Sequence, residues 1–329
     1  MIYITLLALF GAAFCGPLED GLKSGEALLA LFSEFSSIQG QHYSLSEAPM
    51  RLRVFRSELK AVVETNAADL GYVAGLNFLS AMTEAEKAQY LGVNATTIPE
   101  GDYPATSQDA PTAAARDWRS SGAVTAVKDQ GACGSCWAFA AVSSIEGAHK
   151  IKAGSLVAFS EQEVLDCTYE GRGNGCNGGW YWDAFKLIQG TQRLASMAEV
   201  RYNGRDGQCS YSGKPNSLKA KVTGYTRVSK NEAGLVSALA GGPVSVAYHS
   251  TRASMRYRSG EFRDNSCTTR PNHAVTAVGY TATGIILKNS WTAGWGDSGY
   301  ITFKRGHHNC GLYTSAAIVT MSAAQEQEE

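Results

Sequence analysis

The sequence QGACGSCWAF, residues 130–139, decides how the rest of the chain is organised. Its first half is rich in glycine and typical of a loop, whereas the residues from Cys136 onward are largely apolar and predict a long helix. Ser135 stands where it could cap the first turn of that helix. A cysteine just inside a helix N-terminus meets the positive end of the helix dipole, which lowers its pKa and favours the nucleophilic thiolate.

Three kinds of site fit this stretch. Cys133 and Cys136 form a C-x-x-C pair that could act as a redox dithiol, as in thioredoxin-like proteins. Together with Cys167 and Cys176 they could bind zinc. Alternatively, Cys136 is an attacking nucleophile and Cys133 is one half of a disulfide. The stretch alone does not choose among the three.

Composition limits the classes of protein. The chain has 329 residues, 44% of them hydrophobic and 18% charged, which is typical of a soluble globular protein. A net charge of −1 gives no basis for nucleic-acid binding. The charge is uneven, because residues 16–112 carry 6 Lys and Arg against 13 Asp and Glu, whereas residues 113–329 carry 23 against 17. The acidic front (−7) and the basic remainder (+6) are expected to attract each other.

The N-terminus predicts entry into the secretory pathway. Residues 1–14 are apolar and uncharged but too short to span a bilayer, and Ala13 and Cys15 fit a signal-peptide cut before Gly16. No other apolar run approaches 18 residues, so no membrane span is expected. Without Cys15, six cysteines can pair and one remains, which suits an oxidising compartment. We therefore predict a lysosomal, vacuolar or extracellular location.

Periodicity predicts helices first and strands later. Helices are expected at Gly25–Gln39, at Glu47–Asn66, from Cys136 to about Gly154, after a Ser160/Glu163 capping box, and at Trp180–Gln189. Residues 98–115 form a polar linker that would be open to cleavage, and Asn94 begins a glycosylation sequon. Alternation predicts antiparallel strands at Pro243–Tyr248, Ala274–Tyr280, Gly284–Trp291, Gly299–Lys304 and Ala317–Thr320. This order indicates an α+β fold.

A thiol nucleophile needs a base, and the base needs an orienting group. His149 lies 13 residues along the same helix as Cys136, about 20 Å away at 1.5 Å per residue, so it cannot reach the thiol. His249 ends a strand and remains possible. His273 directly precedes a strand, and the adjacent strand brings Asn289 close enough to orient its imidazole. A structural role for this histidine is the competing interpretation.

The later motifs settle the comparison. KNSW at 288–291, WGDSGY at 295–300, SEQEVLDC at 160–167 and GCNGG at 175–179 resemble papain-family cysteine proteases, as does CGSCW at 133–137. The resemblance covers about residues 117–319. It implies a papain-like two-domain fold, with a helical left domain, an antiparallel β-barrel right domain and an active-site cleft between them. The implied segments are a signal peptide 1–15, a mainly helical inhibitory propeptide 16–112, a helical domain 113–225 whose first few residues cross to the other domain, a β domain 226–322 and a disordered tail 323–329.

The resemblance also assigns roles. Cys136 would be the nucleophile and His273 the base, paired as thiolate and imidazolium, with Asn289 orienting the histidine. Gln130 and the backbone N–H of Cys136 would form the oxyanion hole. The implied disulfides are Cys133–Cys176, Cys167–Cys209 and Cys267–Cys310. Neither a cofactor nor a metal is implied.

The implied activity is that of an endopeptidase made as a secreted zymogen, because no long insertion after Cys176 would block one end of the cleft. The expected partners are protein and peptide substrates, the chain's own propeptide and cystatin-type inhibitors, and the expected state is a monomer. A papain-like exopeptidase, a transpeptidase or a silent binding homologue is the alternative. The implied substrate-binding residues form an uncharged site that favours an apolar P2 residue: Gly178, Gly179, Trp180, Tyr181, Ala247, Pro271, Ala274, Trp291 and Ser315.

The front segment resembles cathepsin L-like propeptides, which occupy the cleft against the substrate direction. The helix motif E-x3-R-x3-F-x2-N-x3-I-x3-N is matched from Glu47 to Asn66, with Glu58 for Asn and Val62 for Ile. The second motif, G-x-N-x-F-x-D, is matched by Gly75 and Asn77, with Leu79 for Phe and Ala81 for Asp. Because this acid is missing, we expect distributed charge to hold the precursor closed, and acid and salt to loosen it.

Overall fold

The structure is a computed structural model that describes residues 15–97, 114–169, 175–210, 213, 215–307 and 309–323. The predicted signal segment up to residue 14, nearly all of the linker and the tail beyond residue 323 lie outside these residues. The described hydrophobic core falls into three clusters. One is formed by the front segment, one by the remainder, and the third by the remainder together with Tyr72, Leu79 and Tyr90 of the front segment.

The front segment is mainly helical. It contains α1 (Cys15–Lys23), α2 (Gly25–Ile38), α3 (Ala48–Ala67), the short strand β1 (Tyr72–Ala74) and α4 (Glu84–Ala88). The predicted bounds of α2 and α3 are correct within one residue. Phe55 and Val62, on the predicted stripe of α3, are fully buried and pack with Phe32 and Phe35 of α2. The stripe is therefore a packed core face.

The second body is built on α5 (Cys136–Ala153), α6 (Glu161–Tyr169) and α7 (Tyr181–Thr191). Two capping predictions are wrong in detail. Ser135 makes no cap hydrogen bond, because its hydroxyl pairs with the hydroxyl of Tyr202 instead. Ser160 Oγ does accept the Glu163 N–H at 3.0 Å, but the Glu163 carboxylate accepts the Ala195 N–H at 2.6 Å rather than completing the box.

The third body is a sheet with two short helices, α8 (Glu232–Gly241) and α9 (Arg252–Met255). Besides β1, its strands are β2 (Arg116–Asp117), β3 (Ala220–Arg227), β4 (Val244–Tyr248), β5 (Tyr257–Phe262), β6 (His273–Tyr280), β7 (Gly284–Lys288), β8 (Tyr300–Lys304) and β9 (Ala317–Ala323). The strand order is β1-β5-β8-β7-β6-β4-β9-β3, with β2 beside β6. The α+β prediction is confirmed, but one pair, β5 with β8, is parallel rather than antiparallel.

The predicted strand Gly284–Trp291 ends earlier, at Lys288, than its apolar pattern indicated. The Asn289 N–H still bonds the Gly299 carbonyl, but the Ser290 carbonyl accepts the Gln130 N–H at 2.9 Å, and Trp291 forms an isolated bridge with Asp129. The chain after Asn289 therefore pairs with the loop that precedes the nucleophile.

Covalent cross-links tie the loops together. The three bridges present are Cys133–Cys176, Cys167–Cys209 and Cys267–Cys310, the pairing that the family resemblance implies. Cys136 is free and buried. Within the described residues, no helix is both long and apolar enough to cross a membrane.

Candidate active site

The nucleophile candidate lies where the helical body meets the sheet. Cys136 is the first residue of α5, and the Ala274 N–H of β6 points at its sulfur, with N and Sγ 3.4 Å apart. Gly131, with φ of 59°, turns the preceding loop, and the Cys133–Cys176 disulfide anchors it. Cys136 therefore lies at the helix N-terminus, as predicted, and the tertiary structure places strand β6 beside it.

The predicted base and its partner meet as expected. His273, the first residue of β6, lies with its Nε2 2.8 Å from Oδ1 of Asn289. Because an amide oxygen only accepts, Nε2–H donates and Nδ1 is left for the thiol side. The Trp291 ring lies 4.5 Å from the imidazole, centroid to centroid, and Tyr248 approaches it edge-on at 5.7 Å. Both rings restrict the imidazole, and Trp291 shields the hydrogen bond from water.

Both polar atoms of the Gln130 side chain make hydrogen bonds. Its Oε1 accepts the Ser290 hydroxyl at 2.6 Å and the Trp291 Nε1–H at 3.2 Å. Its Nε2 donates to the Cys133 carbonyl at 2.8 Å. These contacts aim the remaining Nε2–H into the cleft, where a substrate oxyanion would develop.

The cleft is filled by the front segment. Gln130 Nε2 donates to the Tyr90 carbonyl at 3.0 Å, and the Gly179 N–H donates to the Gly92 carbonyl at 2.9 Å. The Tyr90 ring packs edge-on against Trp291. A backbone carbonyl of the chain itself thus occupies the position that Gln130 offers to a substrate.

Burial acts on the enclosed pair in the direction of its neutral form. It raises the pKa of the Cys136 thiol to about 11 and lowers the pKa of His273 to about 4. The thiolate–imidazolium pair stays a prediction for the open cleft, whereas the covered cleft favours the uncharged forms. The reason is that the front segment excludes water, and two opposite charges lose more hydration than they recover in such a site.

A charged cluster lies behind the loop that carries Gln130. Lys128 Nζ contacts Oε1 of Glu146 at 2.7 Å and Oε1 of Glu161 at 2.5 Å, which ties the loop to α5 and α6. Burial raises the pKa of Glu161, although the neighbouring Lys128 acts in the opposite direction. The sequence reasoning missed this cluster, because its members are far apart in the chain and match no local pattern.

Most of the predicted substrate-binding residues come together on one side of the cleft. Trp180, Tyr181, Ala247 and Ala274 share one apolar cluster, and Val93 of the front segment packs against it. The Tyr181 hydroxyl donates to the Ser315 carbonyl. Gly178 and Gly179 directly precede this wall, and Pro271 is buried just before β6. Trp291 belongs to a different cluster, on the histidine side.

The competing cysteine chemistries do not fit the structure. Cys133 pairs with Cys176 and not with Cys136, so the C-x-x-C pair is not a dithiol. The four-cysteine zinc set is wrong because three of its members are in disulfides. Within the described residues no cluster of His, Cys, Asp and Glu could hold a metal.

The other candidate histidines are structural. His149 Nδ1 lies 3.0 Å from the Ser155 carbonyl, and its Nε2 accepts the Lys219 N–H at 3.0 Å. His249 Nδ1 accepts the Thr268 N–H at 2.9 Å, away from the nucleophile. Asn94, in the glycosylation sequon, is exposed.

Comparison with known proteins agrees with this geometry. The family described as papain family cysteine protease matches residues 112–320. The chain is 38% identical to papain of Carica papaya, covering 96% of this chain and 95% of papain. It is 36% identical to digestive cysteine proteinase 2 of Homarus americanus, covering 89% and 96%. The chain therefore belongs to the papain family of cysteine proteases.

Solved precursor structures match nearly the whole chain. A recombinant stem bromelain precursor superposes with a TM-score of 0.81 at 35% identity, covering 91% of this chain and 99% of that one. Digestive procathepsin L 3 of the Tenebrio molitor larval midgut gives 0.81 at 32% identity, covering 91% and 100%. This protein is thus a papain-family hydrolase with a papain-like fold, and its front segment covers the cleft.

Proposed function

We propose that the chain is the zymogen of a cysteine endopeptidase of the secretory pathway, with Cys136 as nucleophile, His273 as base, Asn289 as its orienting partner and Gln130 in the oxyanion hole. The observation that carries the proposal is the Tyr90 carbonyl, held by Gln130 Nε2 at 3.0 Å beside the helix that begins at Cys136. A carbonyl bound in this way occupies the place of a scissile peptide.

The reaction proceeds through a thioacyl enzyme. With the propeptide gone, water and substrate enter, and the thiol proton passes to Nδ1 of His273. The sulfur attacks the substrate carbonyl carbon, and the oxyanion receives hydrogen bonds from Gln130 Nε2 and the Cys136 N–H. The imidazolium then protonates the leaving amine. Finally, the neutral imidazole takes a proton from water while the water oxygen attacks the thioester carbon. The carbon–sulfur bond then breaks, the acid leaves, and the imidazolium returns its proton to the sulfur.

The apolar side of the cleft supports a preference for a small or branched apolar P2 residue. Val93 packs against this apolar cluster in the precursor, and the bulky Trp180 and Tyr181 belong to it, with the Tyr181 hydroxyl donating to the Ser315 carbonyl. Because none of the lining residues is charged, an Arg in P2 would lose hydration without gaining a partner.

The contacts with this pocket also support a propeptide whose chain runs in the direction opposite to that of a substrate. A substrate would reach the Gly179 side with the residues that precede its cleaved bond. The propeptide reaches it with Gly92 and Val93, which follow Tyr90. The segment therefore lies opposite to a substrate, so its own peptide bonds are presented in the wrong orientation for cleavage.

Two ion pairs support an electrostatic component of latency. Glu58 of α3 contacts Arg256 Nε through Oε1 at 2.9 Å, and Glu84 contacts Arg252 Nε at 3.1 Å. Both join the propeptide to the β domain. Secretion stays a prediction, supported by the disulfides and the N-terminal segment. The exact compartment, cystatin binding and the monomeric state also stay predictions.

The proposal is tested with acid-matured enzyme, a peptide library and a thiol-directed epoxide. We expect cleavage of internal peptide bonds whose P2 residue is Val, Leu or another apolar residue. We also expect complete loss of activity after one equivalent of epoxide. The Cys136→Ala precursor, matured in trans, is the control and should fold but not cleave. Removal of single terminal residues would favour the exopeptidase alternative, and a profile dominated by Arg in P2 would contradict the pocket assignment. No cleavage of any peptide would favour the silent homologue.

A further inference from the structure

The hydroxyl of Tyr202 touches the nucleophile loop at two points. It donates to the backbone carbonyl of Gln130 at 2.8 Å and lies 2.6 Å from Oγ of Ser135. A phenol has one proton, which the carbonyl uses, so the Ser135 hydroxyl donates to Tyr202. The result is a directed chain of hydrogen bonds from Ser135 through Tyr202 to Gln130.

These two contacts link both halves of the proposed oxyanion hole, one through the Gln130 backbone carbonyl and the other through the Ser135 side chain. Gln130 supplies one donor through its side chain, and Ser135 directly precedes Cys136, whose N–H supplies the other. The catalytic motifs do not include Tyr202, which is distant from both residues in sequence. We propose that Tyr202 is a positioning residue that sets the spacing between the two donors of the oxyanion hole. The inference rests on the proposed roles of Gln130 and Cys136.

The phenol is itself fixed. Its ring packs edge-on against Phe139, one turn into α5, with centroids 4.9 Å apart. The next residue, Asn203, donates its N–H to Oε1 of Gln162 at 3.0 Å, and Gln162 Nε2 donates to the Arg205 carbonyl at 2.9 Å. Burial raises the pKa of Tyr202, so the hydroxyl keeps its proton at every pH at which a peptidase works. A rigid, permanently protonated donor suits a spacing function.

The test is Tyr202→Phe, prepared as the full-length precursor and matured in trans with a little pepsin. Tyr313→Phe is the matched control, because it also removes a buried hydroxyl bond, to Glu232 at 3.1 Å, away from the cleft. We expect kcat to fall about tenfold in Tyr202→Phe, less than the roughly 10²- to 10³-fold lost with a whole oxyanion donor, with KM little changed. Tyr313→Phe should match the wild type.

Two reagents separate positioning from general loosening. A peptide nitrile adds the thiol across its triple bond, and the nitrogen of the thioimidate lies in the oxyanion position, so its affinity should fall with kcat. Iodoacetamide is attacked at a saturated carbon with loss of iodide and forms no oxyanion, so its rate should stay unchanged. In a Gln130→Ala background, Tyr202→Phe should cost much less than it does in the wild type.

Three results would overturn the inference. They are a kcat for Tyr202→Phe equal to that of Tyr313→Phe, an equal loss in the iodoacetamide rate, or full additivity with Gln130→Ala. If instead the wild-type enzyme hydrolyses no peptide, the proposed function fails, and that outcome is distinct because it appears before any variant is compared.

Discussion

At the scale of the residue, the proposed catalytic groups differ in how they would act. Cys136 and His273 would take part in the reaction directly, whereas Asn289 would act only through its hydrogen bond to Nε2 of His273 at 2.8 Å. The hierarchy of their mutational effects should follow this difference.

Replacing the base should therefore cost more than replacing its partner. General acid–base catalysis contributes about 10² to 10⁴ in rate, and His273→Ala should lose at least that, since nucleophile and base act as a unit. Asn289→Ala should lose only part of it, because Trp291 still packs on the imidazole. The measurement is kcat/KM of both matured variants on one peptide. An Asn289→Ala enzyme as impaired as His273→Ala would contradict a purely orienting role.

At the scale of the element, the segment from Tyr90 to Val93 closes the cleft by fitting its backbone into a narrow space. A Cβ added at Gly92 would lie 1.8 Å from the Gly134 carbonyl oxygen, far inside any real contact. The clash would be with backbone that is itself held in place, because the Gly134 N–H bonds the Cys176 carbonyl at 2.8 Å. Only glycine fits at this point.

Gly92→Ala should therefore expose the thiol while the precursor is still intact. We expect the rate of Cys136 alkylation in the uncleaved precursor to rise at least tenfold, since the segment must leave the cleft. The control is Gly25→Ala, where an added Cβ meets nothing within 4 Å. Mass spectrometry of the alkylated, uncleaved chain gives the rate. Equal rates in Gly92→Ala and the wild type would show that other contacts keep the cleft closed.

At the scale of the whole molecule, the propeptide is held by a sheet pair, apolar packing and charge together. Strand β1 extends the sheet through β5, and Asn77 Nδ2 donates to the Met255 carbonyl at 2.9 Å. Glu58 lies between Arg256 of the β domain and Lys87 of the propeptide, at 2.9 and 3.3 Å. Ala81 has no carboxylate, but its carbonyl accepts Arg51 Nη1 at 3.2 Å, and Oε1 of Glu86 accepts Arg51 Nη2 at 2.6 Å.

Glu58→Gln should accelerate maturation at neutral pH. Breaking a buried pair by removing one partner costs about 3–5 kcal/mol, because Arg256 and Lys87 would be left with an uncharged neighbour. The matched control is Glu64→Gln, which removes the same charge from an exposed position of α3. The half-time of precursor maturation, followed over pH and salt, checks both. Maturation of Glu58→Gln at the control rate, or rates that do not depend on salt, would show that the charge pairs do not contribute to latency.

The pH dependence within the propeptide has a definite sign. The Arg51 guanidinium holds the pKa of Glu86 at about 2, below its ordinary 4.5. A depressed carboxyl pKa gives stability that is complete above about 4.5 and is lost as the pH falls towards about 2. We therefore expect the propeptide within the Cys136→Ala precursor to lose structure in strong acid. Circular dichroism of that precursor can follow the loss.

The sequence by itself determined the elements and the chemistry that depend on local order. The bounds of α2 and α3, the helix that starts at Cys136, and the motifs around His273 and Asn289 all follow from spacing along the chain. The family resemblance added the disulfide pairing and the substrate side of the cleft. These features could be predicted because each is carried by residues that are close in sequence or by a motif with a fixed order.

Only the tertiary structure decided the rest. The strand β1, the parallel pair of β5 and β8, the Tyr202 bridge and the buried Lys128 cluster all join residues with no mutual sequence pattern. The effect of burial on Cys136 and His273 was also beyond the sequence, since covering the cleft shifts both pKa values towards the neutral forms. Charge in a protein depends on hydration, and hydration here depends on which segment covers the cleft, a property of the folded chain and not of the motif.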